Sequence, residues 1–167
     1  DLMKYIKGTD FPTGGEILNS RAELREIYET GQGSVRLRGE FKVEPHKGGK
    51  SEIIITSIPF AVDKASIVEH IGELIASRKI PQLVDIRDES TTDARIALEL
   101  QNDADPNLAM AYLFKNTPLQ NTFSVNLTCL IPKTGAATSQ PQCLNLKNIL
   151  EEFIDFRFKT IKRRYSY

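Results

Sequence analysis

The chain has 167 residues, with 22 lysines and arginines against 22 aspartates and glutamates, so its net charge is zero and no global field draws it to a polyanion. Hydrophobic residues make up 40% and charged ones 26%, the balance of a folded chain with a sizeable core rather than a disordered one. Two cysteines without metal-ligand spacing and no apolar run near the ~18 residues of a membrane span argue against a zinc module and a spanning helix.

No signal-peptide pattern is visible, and the start Asp1-Leu2-Met3 suggests a piece cut from something longer. Residues 1 to 15 read as an entry segment whose cluster Asp10-Phe11-Pro12-Thr13-Gly14-Gly15 makes turns. Ser20-Arg21-Ala22-Glu23 supplies a capping box for a helix to about Thr30, with Leu24, Ile27 and Tyr28 inward and Gly31 as a left-handed stop. From Ser34 to Glu44, Val35, Leu37, Gly39, Phe41 and Val43 alternate with polar residues that include Arg36, Arg38 and Lys42. That period predicts one strand with a dry face and a basic wet face, pairing antiparallel with 52–58 across the loop Pro45 to Lys50.

Pro59 ends the second strand, and Asp63 caps a helix whose inner stripe is Ile67, Ile71, Leu74, Ile75 and Arg78. Lys64 opens that helix against its dipole, a hint that it faces an anion. Short strands follow through Val84 and Ile86 and from Ala94 to Gln101. Asp105-Pro106 starts a third helix with Leu108, Ala111, Tyr112 and Lys115 along its face, and Thr117-Pro118 stops it. Residues 122 to 131 alternate as a fifth strand, placing Cys129 as a buried free thiol of the kind a reducing cytosol keeps. Residues 132–143 read as a loop, and Leu146 begins a final helix without a stop signal. The sum is an α+β fold: an antiparallel sheet of about five strands, helices on its apolar face, an open polar face, and a C-terminal helix.

Charge is segregated along the chain. From Asp85 to Asp105 there are seven acids and two arginines, whereas Ser34 to Lys50 carries five bases and two acids. These runs are either local patches for a polyanion or solvated faces of opposite sign. Neither His46 nor His70 has a partner at ligand spacing, and no phosphate loop or nucleophile elbow occurs. The acids of Asp85-Ile86-Arg87-Asp88-Glu89-Ser90 read as an ion-pair and turn network rather than an acid/base pair or magnesium site.

Several collinear stretches carry a resemblance: Asp10-Phe11-Pro12-Thr13-Gly14-Gly15, Ser20 to Arg38, Ile58-Pro59-Phe60 with Lys64-Ala65, Asp85 to Ser90, Leu119-Gln120 with Thr122-Phe123, and Leu144-Asn145-Leu146-Lys147 leading to Arg163-Arg164. Together they resemble the A subunit of bacterial type IIA DNA topoisomerases, topoisomerase IV and gyrase. The resemblance implies a tower (shoulder) domain over residues 1–143 and the root of a coiled-coil arm over 144–167. It implies a parent enzyme that passes one duplex through another, with ATP and Mg2+ on the partner B subunit, a homodimer of A subunits, a bacterial cytoplasmic setting at the nucleoid, and no membrane. Arg36, Arg38, Lys42, Lys47, Lys50 and Lys64 would then meet double-stranded DNA. The alternative is a structural or interaction module whose bases stay wet and whose last helix pairs in a dimer arm.

The family's nucleophilic tyrosine would lie before residue 1, so no catalytic residue and no cofactor are expected within this stretch. Arg164-Tyr165-Ser166 imitates an arginine-tyrosine nucleophile but falls where the family has ordinary coiled-coil residues. Gln32 stands where the family usually has arginine, and Phe60 where it often has tyrosine. Ser34 and the Asn19-Ser20-Arg21-Ala22-Glu23 form lean towards topoisomerase IV.

Overall fold

A computed structural model describes residues 2–45, 51–132 and 139–166. After a 3-10 turn at Leu2–Lys4 come β1 (Glu16–Ile17), α1 (Arg21–Thr30), β2 (Gln32–Arg38), β3 (Phe41–Pro45), β4 (Ser51–Ile55), α2 (Lys64–Ala76), β5 (Leu83–Asp88), β6 (Ile96–Leu100), α3 (Pro106–Asn116), β7 (Gln120–Asn126), β8 (Thr128–Pro132), β9 (Ser139–Cys143) and α4 (Leu146–Tyr165). The strands form three sheets, ordered β1-β2-β7, β3-β4-β6-β5 and β8-β9. The α+β class, the antiparallel pairing and the C-terminal helix are as the sequence predicts. Two compact units share the chain: residues 1–9, 19–35 and 124–167 in one, 10–18 and 36–123 in the other.

In the second unit the core lies between the four-stranded sheet and two helices. Register pairs Ile53 with Leu98, Ile55 with Ile96 and Leu83 with Leu100, which puts these side chains on one pleat face. Ile67 and Ile71 of α2 and Ala109, Met110 and Leu113 of α3 are buried against it. Each fully buried isoleucine contributes about 2 kcal/mol. The caps are those expected: Asp63 accepts from the Ser66 amide, and Asp105 accepts from the Asn107 amide with Pro106 in the first turn.

In the first unit the Ser20 hydroxyl takes the Glu23 amide while the Glu23 carboxylate takes the Ser20 amide, the reciprocal capping box. Leu24 and Ile27 are buried, α1 lies against α4, and Asn145 caps α4 through the Asn148 amide. Gly31 ends α1 at φ 78°, and a Cβ there would run into the Leu144 carbonyl oxygen.

Several expectations need correction. The strand 34–44 is two strands in two sheets: the Gly39 amide donates to Leu119 at 2.9 Å, whereas the Glu40 amide donates to the Ser57 hydroxyl at 2.9 Å. A Cβ on Gly39 would sit 2.7 Å from the Ser57 carbonyl oxygen, so the exchange of partners happens where only a glycine passes. Strand 122–131 also divides, because the Leu127 amide goes to Gly31 and its carbonyl to the Leu144 amide. Part of the predicted loop 132–143 is β9, paired with β8.

Val43 is exposed rather than dry because β3 is an edge strand. On α3 the inward phase is Ala109, Met110 and Leu113, leaving Leu108 58% exposed and Ala111 and Lys115 outside. Arg78 lies past the end of α2, exposed, at φ 54°. The polar face of the four-stranded sheet is only partly open, since Ile54 and Ala97 on that pleat are buried. Cys129 is half-buried; it pairs with Gln142 and Thr128 with Cys143, so the two thiols project to opposite faces of the ribbon and stay unbridged.

Gly31→Ala is expected to lower stability by roughly 2 kcal/mol in urea denaturation, from the left-handed backbone and the Leu144 carbonyl together. Ala61 at φ 64° gives the opposite case, Ala61→Gly being expected to raise stability by about 1 kcal/mol.

Candidate nucleic-acid interface

The six cations singled out in the sequence do not form one surface. Arg36 and Arg38 stand two apart on β2 and therefore on one side of it, both in the second unit. Arg36 is exposed, whereas Arg38 is half-buried and held. Its Nε and Nη2 donate to Gln120 Oε1 at 3.3 and 3.1 Å, and its guanidinium carbon lies 4.5 Å from the centroid of the Phe114 ring. Phe114 in turn meets Phe41, with ring centroids 6.1 Å apart. An arginine stacked on an aromatic face and tied at one edge keeps its charge in one place with little left to order.

Lys42 is exposed on β3, in the other sheet. Its neighbours on that pleat are unfavourable to an anion: Glu44, Glu52, Glu99 and Asp85 stand side by side across four strands. Arginines tie part of this row together. Arg87 bonds Glu52, which is only 7% exposed, and Arg95 reaches Glu44 at 3.2 Å and Glu89 at 3.1 Å. Glu44 first and Glu89 second hold the Arg95 pKa above its ordinary value. Of the acids at 85–89, Glu89 and Asp88 form ion pairs as expected, whereas Asp85 forms none among the described residues, and no group of three or more histidines, cysteines or carboxylates there could hold a metal ion.

Lys64 does face an anion, but it belongs to the chain itself. Its Nζ is 2.8 Å from Asp88 Oδ2, linking the start of α2 to the end of β5. Asp88 also accepts from the Ser90 amide at 3.0 Å. The Lys64 hydrogen bond above all, and then Ser90, lower its pKa to about 2. Lys47 and Lys50, with His46, lie outside the described residues.

Two shallow clefts meet Arg38. One, of about 340 Å3, has Lys42, Glu16, Glu40 and Thr56 in its walls. The other, of about 420 Å3, runs along α3 past Asn107, Ala111 and Lys115 to Gln120. The sequence pattern assigns Lys115 to the inner face of α3, and the structure puts it outside. Burial of Ala109, Met110 and Leu113 against the sheet turns 111 and 115 outward.

Taken together, these features describe an α+β module with exposed Arg36 and braced Arg38 on the central strand of its three-stranded sheet. The family model for the A subunits of DNA gyrase and topoisomerase IV matches residues 1–167, and the chain belongs to that family of type IIA topoisomerase A subunits. It is 40% identical to the DNA gyrase A subunit of Clostridium acetobutylicum and 41% identical to that of Halalkalibacterium halodurans, in each case over 100% of this chain and 19% of the relative. The DNA gyrase A subunit of Fibrobacter succinogenes is 42% identical over 98% of this chain and 17% of its own length. The chain thus spans about a fifth of the length of the curated relatives it matches.

A depressed carboxylate pKa stabilises the fold above its unfolded value of 3.8, and the contribution is lost as pH falls through about 2. Carboxyl titration by NMR should therefore place Asp88 near 2, and Lys64→Ala should move it up towards 3.8. Asp88→Asn should lower stability near neutral pH only slightly, because solvent screens so exposed a pair, the small gap from the parent closing as acid protonates Asp88.

Proposed function

We propose that this chain is the tower domain of a type IIA topoisomerase A subunit, residues 1–143 forming the tower and 144–167 the root of a coiled-coil arm. In this reading the domain holds an arm of a bent duplex beside a cleavage site located elsewhere in the parent enzyme, and does no chemistry itself. The parent works as a dimer of A subunits with B subunits that carry ATP and Mg2+, changing DNA topology in the bacterial cytoplasm at the nucleoid. No helix among the described residues is long and apolar enough to cross a membrane.

Family membership supports the parent activity, and the observation that supports DNA contact is Arg38, an arginine stacked on Phe114 and braced by Gln120 beside exposed Arg36. Such groups neutralise phosphate without reading bases. Lys64 is the weakest member of the set, since a phosphate would have to displace Asp88.

A second reading, an interaction module without DNA contact, draws support from the acidic row beside Lys42 and from α4. That helix leaves Phe153, Ile154, Phe156 and Phe158 more than half exposed, a surface suited to a protein partner. The readings separate in one measurement on the full-length parent enzyme, with both its subunit types present. Arg36→Ala with Arg38→Ala should flatten the slope of log affinity for duplex DNA against log salt by roughly two units. An unchanged slope with intact folding would leave the interaction module.

A further inference from the structure

We infer that the cleft between Arg38 and α3 is a phosphodiester subsite in which Lys115 supplies the second charge; this rests on the DNA-contacting reading above and names where on the domain a strand lies. The outward stripe of α3 is Asn107, Ala111 and Lys115, spaced four residues apart and therefore about 12 Å long. At a rise of about 3.4 Å per nucleotide, that length accommodates some three steps of one strand. Ala111 at the middle of the stripe is small and exposed, so a backbone can approach the helix closely there. Asn107 offers an amide at one end and Lys115 an ammonium at the other.

The opposite wall explains why the ligand is an anion. Gln120 occupies Nε and one hydrogen of Nη2 on Arg38, and Phe114 covers one guanidinium face, so the Nη1 donors remain for an acceptor. The lining contains no carboxylate. The Lys115 ammonium has no ion pair or hydrogen bond among the described residues and sits in the last turn of α3, where the helix dipole favours its charge. In contrast, the cleft shared by Arg38 and Lys42 includes Glu16 and Glu40. Of the two clefts at Arg38, the one along α3 is electrostatically open to phosphate.

The test uses the full-length parent enzyme, both subunit types together, and a duplex long enough to bend. Lys115→Ala should flatten the salt slope by about one unit, and Lys115→Arg should restore it. Arg38→Lys should keep the slope but weaken binding several-fold, because a lysine neither stacks on Phe114 nor forks between Gln120 and a phosphate. A benzophenone side chain at Ala111 should crosslink to DNA. If Lys115→Ala leaves the slope unchanged while Arg36→Ala flattens it, this cleft is not the subsite although the domain contacts DNA; if neither changes it, the underlying reading fails as well. Crosslinking to protein instead would make the occupant a partner's acidic segment. Block of the crosslink by inorganic phosphate or ATP at concentrations that leave DNA bound would make it a free phosphate, and either result overturns the assignment.

Discussion

At Gly39 the Ser57 carbonyl oxygen lies 2.7 Å from where a side chain would begin. That close approach lets the chain leave the sheet of β2 and enter the sheet of β3 within two residues, its amides passing from Leu119 to Ser57. The distribution of charge follows from this exchange. Arg36 and Arg38 stay with β2, Lys42 goes with β3, and the basic wet face of an 11-residue strand never assembles as one surface.

Once separated, the cations meet different surroundings. Arg38 finds Phe114 and Gln120, which fix it without neutralising it. Lys42 finds a pleat crowded with carboxylates. Lys64 is neutralised by Asp88, and Arg87 by Glu52. Pairs as exposed as Lys64 with Asp88 are each worth little to stability. Their effect is to remove a cation from the set available to a polyanion, which makes counting lysines and arginines a poor guide to an interface.

Both misplaced strands share one physical cause. Burial still alternates through the breaks: Val35, Leu37 and Gly39 are buried, and Phe123, Val125, Leu127, Cys129 and Ile131 are half-buried in turn. A period of two reports which side of the chain is dry, but not which neighbour takes the backbone hydrogen bonds. Leu127 keeps the alternation while bonding Gly31 on one side and Leu144 on the other. On α3, alanines at 109 and 111 make the two phases nearly equal in hydrophobicity, so the inner face is decided by Met110 and Leu113 fitting the sheet.

Local chemistry was legible in the residues because it closes within a few positions. The capping box of Ser20 and Glu23, the caps Asp63 and Asp105, the left-handed Gly31, and the order of helices need only neighbours in sequence. Family membership was legible too, through motifs collinear over the chain, and the family model spans it. Tertiary structure alone decided which cations stand ready and which are spent, because their partners lie far along the chain: Gln120 for Arg38, Asp88 for Lys64, Glu52 for Arg87. An ion pair or a stacked guanidinium acts over a few ångströms, and only folding brings residues so distant in sequence that near.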